Sequence, residues 1–162
     1  MIAIHASARV SPLADLEDSV RGTRIDISEG VVIDSFVKIK PVGGTGDVFI
    51  GPGSVINSGC VLYSGNGIRL GRGVLVAANC TFAPVNHEYA QKYVPIARQG
   101  FRPDKGGIVV GDDVWIGANC VILDGARIGD GCVIAAGAIV RGSLDAYGVY
   151  GGSPLARLGE RK

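Results

Sequence analysis

One histidine in this sequence stands where a side chain could do acid–base chemistry. His87 lies in the run Asn86-His87-Glu88-Tyr89, at the start of a long segment with aromatic residues and prolines, and His5 is the only other histidine. Imidazole titrates near neutral pH, so His87 could take the proton from a weak nucleophile such as a hydroxyl group. The alternative interpretation is that His87 only caps a turn.

A repeat of six residues runs through most of the chain and must position His87. From Val110 onward an aliphatic residue recurs at every sixth position, and a small residue often follows four positions later. The same register, with interruptions, extends back to the N-terminus. The eighteen repeat positions are all apolar: Ile4, Val10, Leu16, Ile27, Ile33, Ile39, Ile50, Ile56, Leu62, Leu70, Val76, Phe82, Val110, Ile116, Ile122, Ile128, Ile134 and Val140.

A period of six predicts short strands separated by turns, because a helix of 3.6 residues per turn does not return to one face every six residues. Three hexapeptides form an 18-residue coil with three flat faces, and strands of successive coils pair about 4.8 Å apart. The sequence therefore predicts an all-β fold, a parallel β-helix of about six coils. The coils span 4–21, 27–44, 50–67, 70–87, 110–127 and 128–145.

The chain is expected to form a single domain over 1–162, in which the segments between the coils are loops. Three are short, and the fourth is a long inserted loop, 88–109, between coils 4–87 and 110–145. Long loops on a regular scaffold usually carry function. Residues 146–162 are expected to form a C-terminal tail with a short helix at most.

All four cysteines obey the repeat, which argues against a disulfide or metal framework. Cys60, Cys80, Cys120 and Cys132 each occupy the small fifth position of a hexapeptide. Cysteine at a tight corner behaves as a small hydrophobic residue, and free thiols agree with a reducing cytosol.

The composition excludes several classes of protein. With 16 basic and 15 acidic residues and no basic block, we expect no nucleic-acid partner. No apolar run is long enough to span a bilayer, and no secretion signal is evident at the N-terminus. The expected location is the cytoplasm.

Three motifs together with the repeat resemble the hexapeptide-repeat acyltransferases, in the branch of the sugar O-acetyltransferases related to maltose and galactoside acetyltransferases. They are Asn86-His87-Glu88-Tyr89, the run 106–117 that contains Trp115, and the tail Gly151-Gly152-Ser153-Pro154. The resemblance covers nearly the whole chain. It implies a left-handed parallel β-helix, a homotrimer, and active sites in clefts between subunits that the long loop helps to build.

The resemblance also assigns roles to individual residues. It makes His87 the general base and places Asn57 against the acyl donor and acceptor, where its amide could stabilise a developing oxyanion. Trp115, Ala118 and Ala136 would line the channel for the acyl donor, acetyl-CoA.

Phosphate and acceptor contacts complete the expected site, in which no metal is required. Arg141 and Arg157 are the candidates for the CoA phosphates, because guanidinium groups bind phosphate in a bidentate way. Glu88 and Tyr89 are the candidates for the sugar. The family's acidic acceptor residue aligns with Gly65, and Arg141 replaces a threonine.

The expected function is transfer of an acetyl group from acetyl-CoA to a sugar hydroxyl, in surface polysaccharide or lipopolysaccharide biosynthesis. Transfer is expected to be direct, within a ternary complex. An N-acetyltransferase acting on a nucleotide-linked amino sugar is the alternative, since an amine also needs a base. A noncatalytic β-helix scaffold would have no need of His87 or the long loop. A carbonic anhydrase of this fold would need three zinc-binding histidines, and only two exist.

Overall fold

The computed structural model describes residues 1–162 as one β-helix of short strands. The elements in chain order are β1 (Ile2–Ile4), β2 (Arg9–Val10), β3 (Asp15–Leu16), β4 (Ile25–Ile27), β5 (Val32–Ile33), β6 (Lys38–Lys40), β7 (Val48–Ile50), β8 (Val55–Ile56), β9 (Val61–Tyr63), β10 (Ile68–Leu70), β11 (Leu75–Val76), β12 (Thr81–Ala83), α1 (Ile96–Gln99), β13 (Ile108–Val110), β14 (Trp115–Ile116), β15 (Val121–Leu123), β16 (Arg127–Ile128), β17 (Val133–Ile134), β18 (Ile139–Val140), β19 (Ser143–Leu144), β20 (Gly148–Gly151) and β21 (Ala156–Glu160).

Three sheets form the three faces of the coil. The first face has the strand order β1-β4-β7-β10-β13-β16-β19, and the second has β2-β5-β8-β11-β14-β17-β20-β21. The third face has β3-β6-β9-β12-β15-β18. Every pairing is parallel except that of β20 with β21. The predicted parallel β-helix is confirmed.

The predicted apolar positions form the core. From the second coil onward each of these side chains is buried, with Phe82 among the largest that are fully enclosed. The residue two positions before each also points inward, which places the four free cysteines in the same core. Burial raises the pKa of the Cys132 thiol. In the first coil Ile4 is 49% exposed, because no further coil covers it.

The three corners of the coil differ in how they are built. The first corner joins first-face to second-face strands, the second corner joins second to third, and the third corner joins third to first. At the second corner every connection has four residues, from 11–14 to 135–138. At the third corner the connections range from two residues (141–142) to 24 (84–107). All the interruptions of the repeat therefore fall on one edge of the molecule.

From the second coil onward, one residue in each turn of the second corner has left-handed backbone conformation. Asn79 and Asn119 have φ of 60° and 59°, and Gly59 has φ of 73° at the equivalent place. Asparagine and glycine are the residues that tolerate this conformation best. A side chain at Gly59 would also collide with the Asn79 amide of the next coil.

The C-terminal part differs from the sequence-based expectation. Leu144 pairs with Ile128, so the last full coil is two residues shorter than the 18-residue repeat and Leu144 starts a further coil. Tyr150 then takes the inward place above Ile134. The tail, for which at most a short helix was expected, contains a strand instead: β21 runs antiparallel to β20 and extends the second sheet. The sequence pattern did not reveal this further coil, because aromatic Tyr150 occupies an inward position where the repeat has an aliphatic residue.

No helix of the chain has the length and apolar character that crossing a membrane requires.

The buried apolar side chains at the repeat positions predict that a charge placed among them strongly destabilises the fold. Replacing the fully buried Ile116 by Asp should lower the free energy of unfolding by about 4 kcal/mol or more, because the carboxylate would have no partner in the core. Val109→Asp is the matched control, since Val109 points outward between Arg69 and Arg127. Urea denaturation followed by circular dichroism measures both, and equal losses would contradict the inward assignment.

Candidate active site

The long loop leaves the coil after Ala83 and carries His87 on a short antiparallel hairpin. His87 bridges Phe101, and the flanking backbone bonds are Glu88 N to Gly100 O at 3.0 Å and Arg102 N to Asn86 O at 2.8 Å. The imidazole and the Phe101 ring lie 4.7 Å apart, centroid to centroid. The hairpin therefore fixes the position of an imidazole that stays exposed to solvent.

The far end of the loop is fastened to the coil by Asp124. This buried carboxylate accepts hydrogen bonds from the backbone N–H groups of Lys105 and Gly107, both at 3.0 Å, and from the Asn66 amide at 3.1 Å. Arg127 adds bonds to the carbonyl oxygens of Gly106 and Gly107. These contacts close the third corner beside His87.

The loop and the third corner enclose a cavity of about 550 Å³ that contains His87. Loop residues form one wall, and residues that follow third-face strands form the other. The lining comprises Asn86, His87, Tyr89, Ile96, Arg102, Lys105, Leu123, Asp124 and Arg141.

Charge in this cavity is predominantly positive. The Arg102 guanidinium lies 4.3 Å from the centroid of the Tyr89 ring and 3.7 Å from the Glu88 carboxylate. The backbone N–H groups of Ala90 and Tyr89, followed by Arg102, lower the pKa of Glu88, which keeps it ionised. The side chains of Lys105 and Arg141 form no ion pair. The cavity can therefore accept an anionic group.

Arg141 also lines a neighbouring cavity toward the C-terminal end. This second cavity has a volume of about 620 Å³ and is lined by Tyr150, Pro154, Leu155 and Arg157 among others. Arg157 lies 3.5 Å from Glu160. The two expected phosphate-binding arginines thus share one continuous surface, which leads to His87.

The other predicted site residues lie along the second corner. Asn57, Ala118 and Ala136 follow second-face strands in the third, fifth and sixth coils, and Trp115 is on the second face just before the turn. Trp115 is 53% exposed, as its outward position requires. Asn57 Nδ2 donates to Val76 O at 2.7 Å, which leaves Asn57 Oδ1 without a hydrogen bond.

A single chain therefore holds two halves of the predicted site on different edges. His87, Glu88, Tyr89 and Arg141 are at the third corner, whereas Asn57 and the alanines are at the second. Sequence analysis missed Asp124, Arg102 and Lys105, because nothing in a repeat shows which turn packs against an inserted loop. The one available signal was the acidic residue in Leu123-Asp124-Gly125, beside the point where the loop returns.

Comparison with known proteins identifies the class. The family model described as bacterial transferase hexapeptide (six repeats) matches residues 107–142. The chain is 28% identical over 130 residues to WbbJ of Escherichia coli (strain K12), which is assigned by name to lipopolysaccharide biosynthesis O-acetyl transfer. The match covers 77% of this chain and 63% of WbbJ, so the chain spans less than two thirds of the length of that relative.

Solved structures define the fold. AntD, an N-acyltransferase from Bacillus cereus, superimposes with a TM-score of 0.82 at 23% identity over 99% of this chain and 84% of AntD. That crystal contains dTDP-4-amino-4,6-dideoxyglucose and coenzyme A. The acetyltransferase VCA0836 from Vibrio cholerae, with acetyl coenzyme A, gives a TM-score of 0.64 at 24% identity over 99% and 71% of the two chains. The fold is the left-handed parallel β-helix of these acyltransferases, and residues 107–142 match the hexapeptide-repeat transferase family.

The closure of the loop depends on Asp124. Asp124→Ala should leave the buried N–H of Gly107 and the partly buried N–H of Lys105 without an acceptor and cost about 2 to 3 kcal/mol of stability in this region. Limited trypsin digestion should then cut faster after Lys105, while Glu29→Ala, which removes an exposed carboxylate elsewhere, should leave the cleavage rate unchanged. Equal cleavage of Asp124→Ala and wild type would show that Asp124 does not hold the loop.

Proposed function

We propose that the protein is an acetyl-CoA-dependent O-acetyltransferase that acts on a sugar hydroxyl. The observation that carries this proposal is the exposed imidazole of His87 in a cavity that continues, through Arg141, to a second basic cavity at the C-terminal end. Such an arrangement suits an acyl donor whose anionic end is distant from its reactive end. The repeat family and the relatives support the same activity.

His87 would act as the general base. As the acceptor oxygen attacks the thioester carbon, its proton passes to the imidazole, and the CoA thiolate leaves and takes a proton in turn. Phe101 packs against the ring and limits its rotation. The amide of Asn57 would stabilise the oxyanion of the tetrahedral intermediate, which requires Asn57 of one subunit to face His87 of another.

The donor would lie along the second corner. Ala118 and Ala136 present short side chains in successive coils, so a pantetheine arm could approach their backbone closely, and Trp115 offers a flat apolar surface beside them. Arg157 and Arg141, which lies at the third corner and has no ion-pair partner, would hold the phosphates. The CoA arm would therefore lie between the second corner of one subunit and the third corner of another.

A homotrimer would bring the two half-sites together. The outward positions of the second sheet form an exposed apolar column that a single chain leaves uncovered. Its members are in register: Val32, Val55, Leu75, Trp115, Val133 and Val149. Burying this column against neighbouring copies, with threefold symmetry, would place the second corner of one subunit beside the loop of the next.

The name of the relative WbbJ supports a role in lipopolysaccharide or other surface polysaccharide biosynthesis. The alternative acceptor is a nucleotide-linked amino sugar. The unpaired cations of Lys105 and Arg141 beside His87 favour it, because they could bind a diphosphate, and AntD binds such a sugar.

The function is tested by release of CoA thiol from acetyl-CoA in the presence of sugars, nucleotide-linked sugars and amino sugars. His87→Ala should lower turnover by about 10²- to 10⁴-fold, because the proton would have no acceptor. His5→Ala is the matched control, as it removes the only other imidazole, and should retain full activity. Acceptor-dependent turnover that survives His87→Ala would refute the assignment of the base.

Arg141→Ala separates the two acceptor classes. If Arg141 binds the CoA phosphates, the KM for acetyl-CoA should rise about 10- to 100-fold, as expected for loss of a hydrogen bond between charged groups, with the KM for the acceptor unchanged. A rise confined to the KM of a nucleotide-linked acceptor would favour the alternative. Arg98→Ala, in the loop helix and outside both cavities, should change neither value.

A further inference from the structure

The second corner carries a polar group that none of the assigned roles uses. Asp34 occupies in the second coil the place that Asn57 occupies in the third: each follows an inward isoleucine, and Asp34 N donates to Ile56 O just as Asn57 N donates to Val76 O. Successive coils are about 4.8 Å apart, so the backbones of Asp34 and Asn57 lie one strand spacing apart. Both side chains point outward.

Asp34 is held in one orientation and stays charged. Its Oδ1 accepts from Ser35 N and its Oδ2 accepts from Ser58 Oγ, both at 2.7 Å. These two bonds, that from Ser58 being the stronger, lower the pKa of Asp34. No Lys or Arg forms an ion pair with it. An ionised carboxylate accepts at about four lone-pair sites, so Asp34 retains acceptor capacity toward a ligand.

Charge along this corner separates two ligands. Ala118 and Ala136 lie on the C-terminal side of Asn57, toward the end of the molecule whose cavity is lined by Arg141 and Arg157. Asp34 lies on the N-terminal side, where a negative charge would repel the phosphates of CoA. A ligand at Asp34 must instead present hydrogen-bond donors, and the hydroxyl groups of a sugar are such donors.

We propose that Asp34 and Asn57 form the acceptor subsite, in which the Asp34 carboxylate accepts hydrogen bonds from sugar hydroxyls next to the one that is acetylated. This inference rests on the proposed function. It supplies the carboxylate that the related sugar acetyltransferases place elsewhere, at the position of Gly65 in this chain. The acceptor is therefore a sugar with at least one free hydroxyl adjacent to the reacting one.

The test is the kinetics of Asp34→Asn with acetyl-CoA and methyl glucoside, methyl galactoside or methyl mannoside, whichever the wild type acetylates fastest. The amide of Asn can still accept from Ser35 N and can donate to Ser58 Oγ, so the corner should keep its structure and its melting temperature. The KM for the sugar should rise about 10- to 100-fold through loss of the charged acceptor, while the KM for acetyl-CoA stays within about twofold.

Two controls distinguish ligand binding from a structural effect. Asp26→Asn removes a carboxylate on the first face of the same region and should leave both KM values unchanged. Ser58→Ala removes the bond to Oδ2 but keeps the carboxylate, so its effect on the KM for the sugar should be below about threefold. A monodeoxy analogue of the sugar that lacks the neighbouring hydroxyl should react with wild type and Asp34→Asn at similar kcat/KM.

Each remaining outcome is decisive. An active wild type whose Asp34→Asn variant has an unchanged sugar KM, or equal rises in both KM values, overturns the acceptor subsite and leaves the proposed function standing. A wild type that releases no CoA with any of the sugars overturns the proposed function for such sugars and this inference with it.

Discussion

The constraint on which the whole molecule depends is the register between coils. Each strand forms hydrogen bonds with the strand above and below it at a spacing of about 4.8 Å, and one inward side chain must fill the space that each turn encloses. A residue gained or lost within a face would turn the apolar column outward. The second corner obeys this constraint, because each of its turns has four residues and, from the second coil onward, one left-handed position. The regular turns of this corner therefore fix the positions of the candidate site residues that lie on it.

Much of the fold could be predicted from the sequence, because the six-residue period of apolar positions specifies short strands separated by turns. The apolar positions from Ile27 to Val140 are the core, and the parallel sheets follow from their spacing. The C-terminal coil could not be found this way. A two-residue connection moves Leu144 out of the six-residue register, and β21 reverses direction, which no hexapeptide pattern encodes.

The candidate site was only partly predictable, for a physical reason. His87 stands out as one of two histidines, whereas the roles expected of Trp115 and the alanines come from the family resemblance. Residues that act through contacts distant in sequence did not stand out. Asp124 matters because it meets Lys105 and Gly107, and Asp34 matters because it is stacked beneath Asn57; both relations exist only once coils are superposed. That two subunits bring the half-sites of different edges together remains a prediction.

The second and third corners differ in how much their connections vary in length. Along the second corner each coil places its side chains at the same spacing, so any linear ligand bound there meets side chains at fixed intervals. The third corner tolerates connections of 2 to 24 residues without changing the spacing of side chains along the second corner, because each connection begins and ends at the same edge. Changes in loop length there would reshape the cavity around His87 while the spacing of side chains along the second corner stays the same. The shape of that cavity can therefore change through the replacement of one segment on one edge, without redesign of the scaffold.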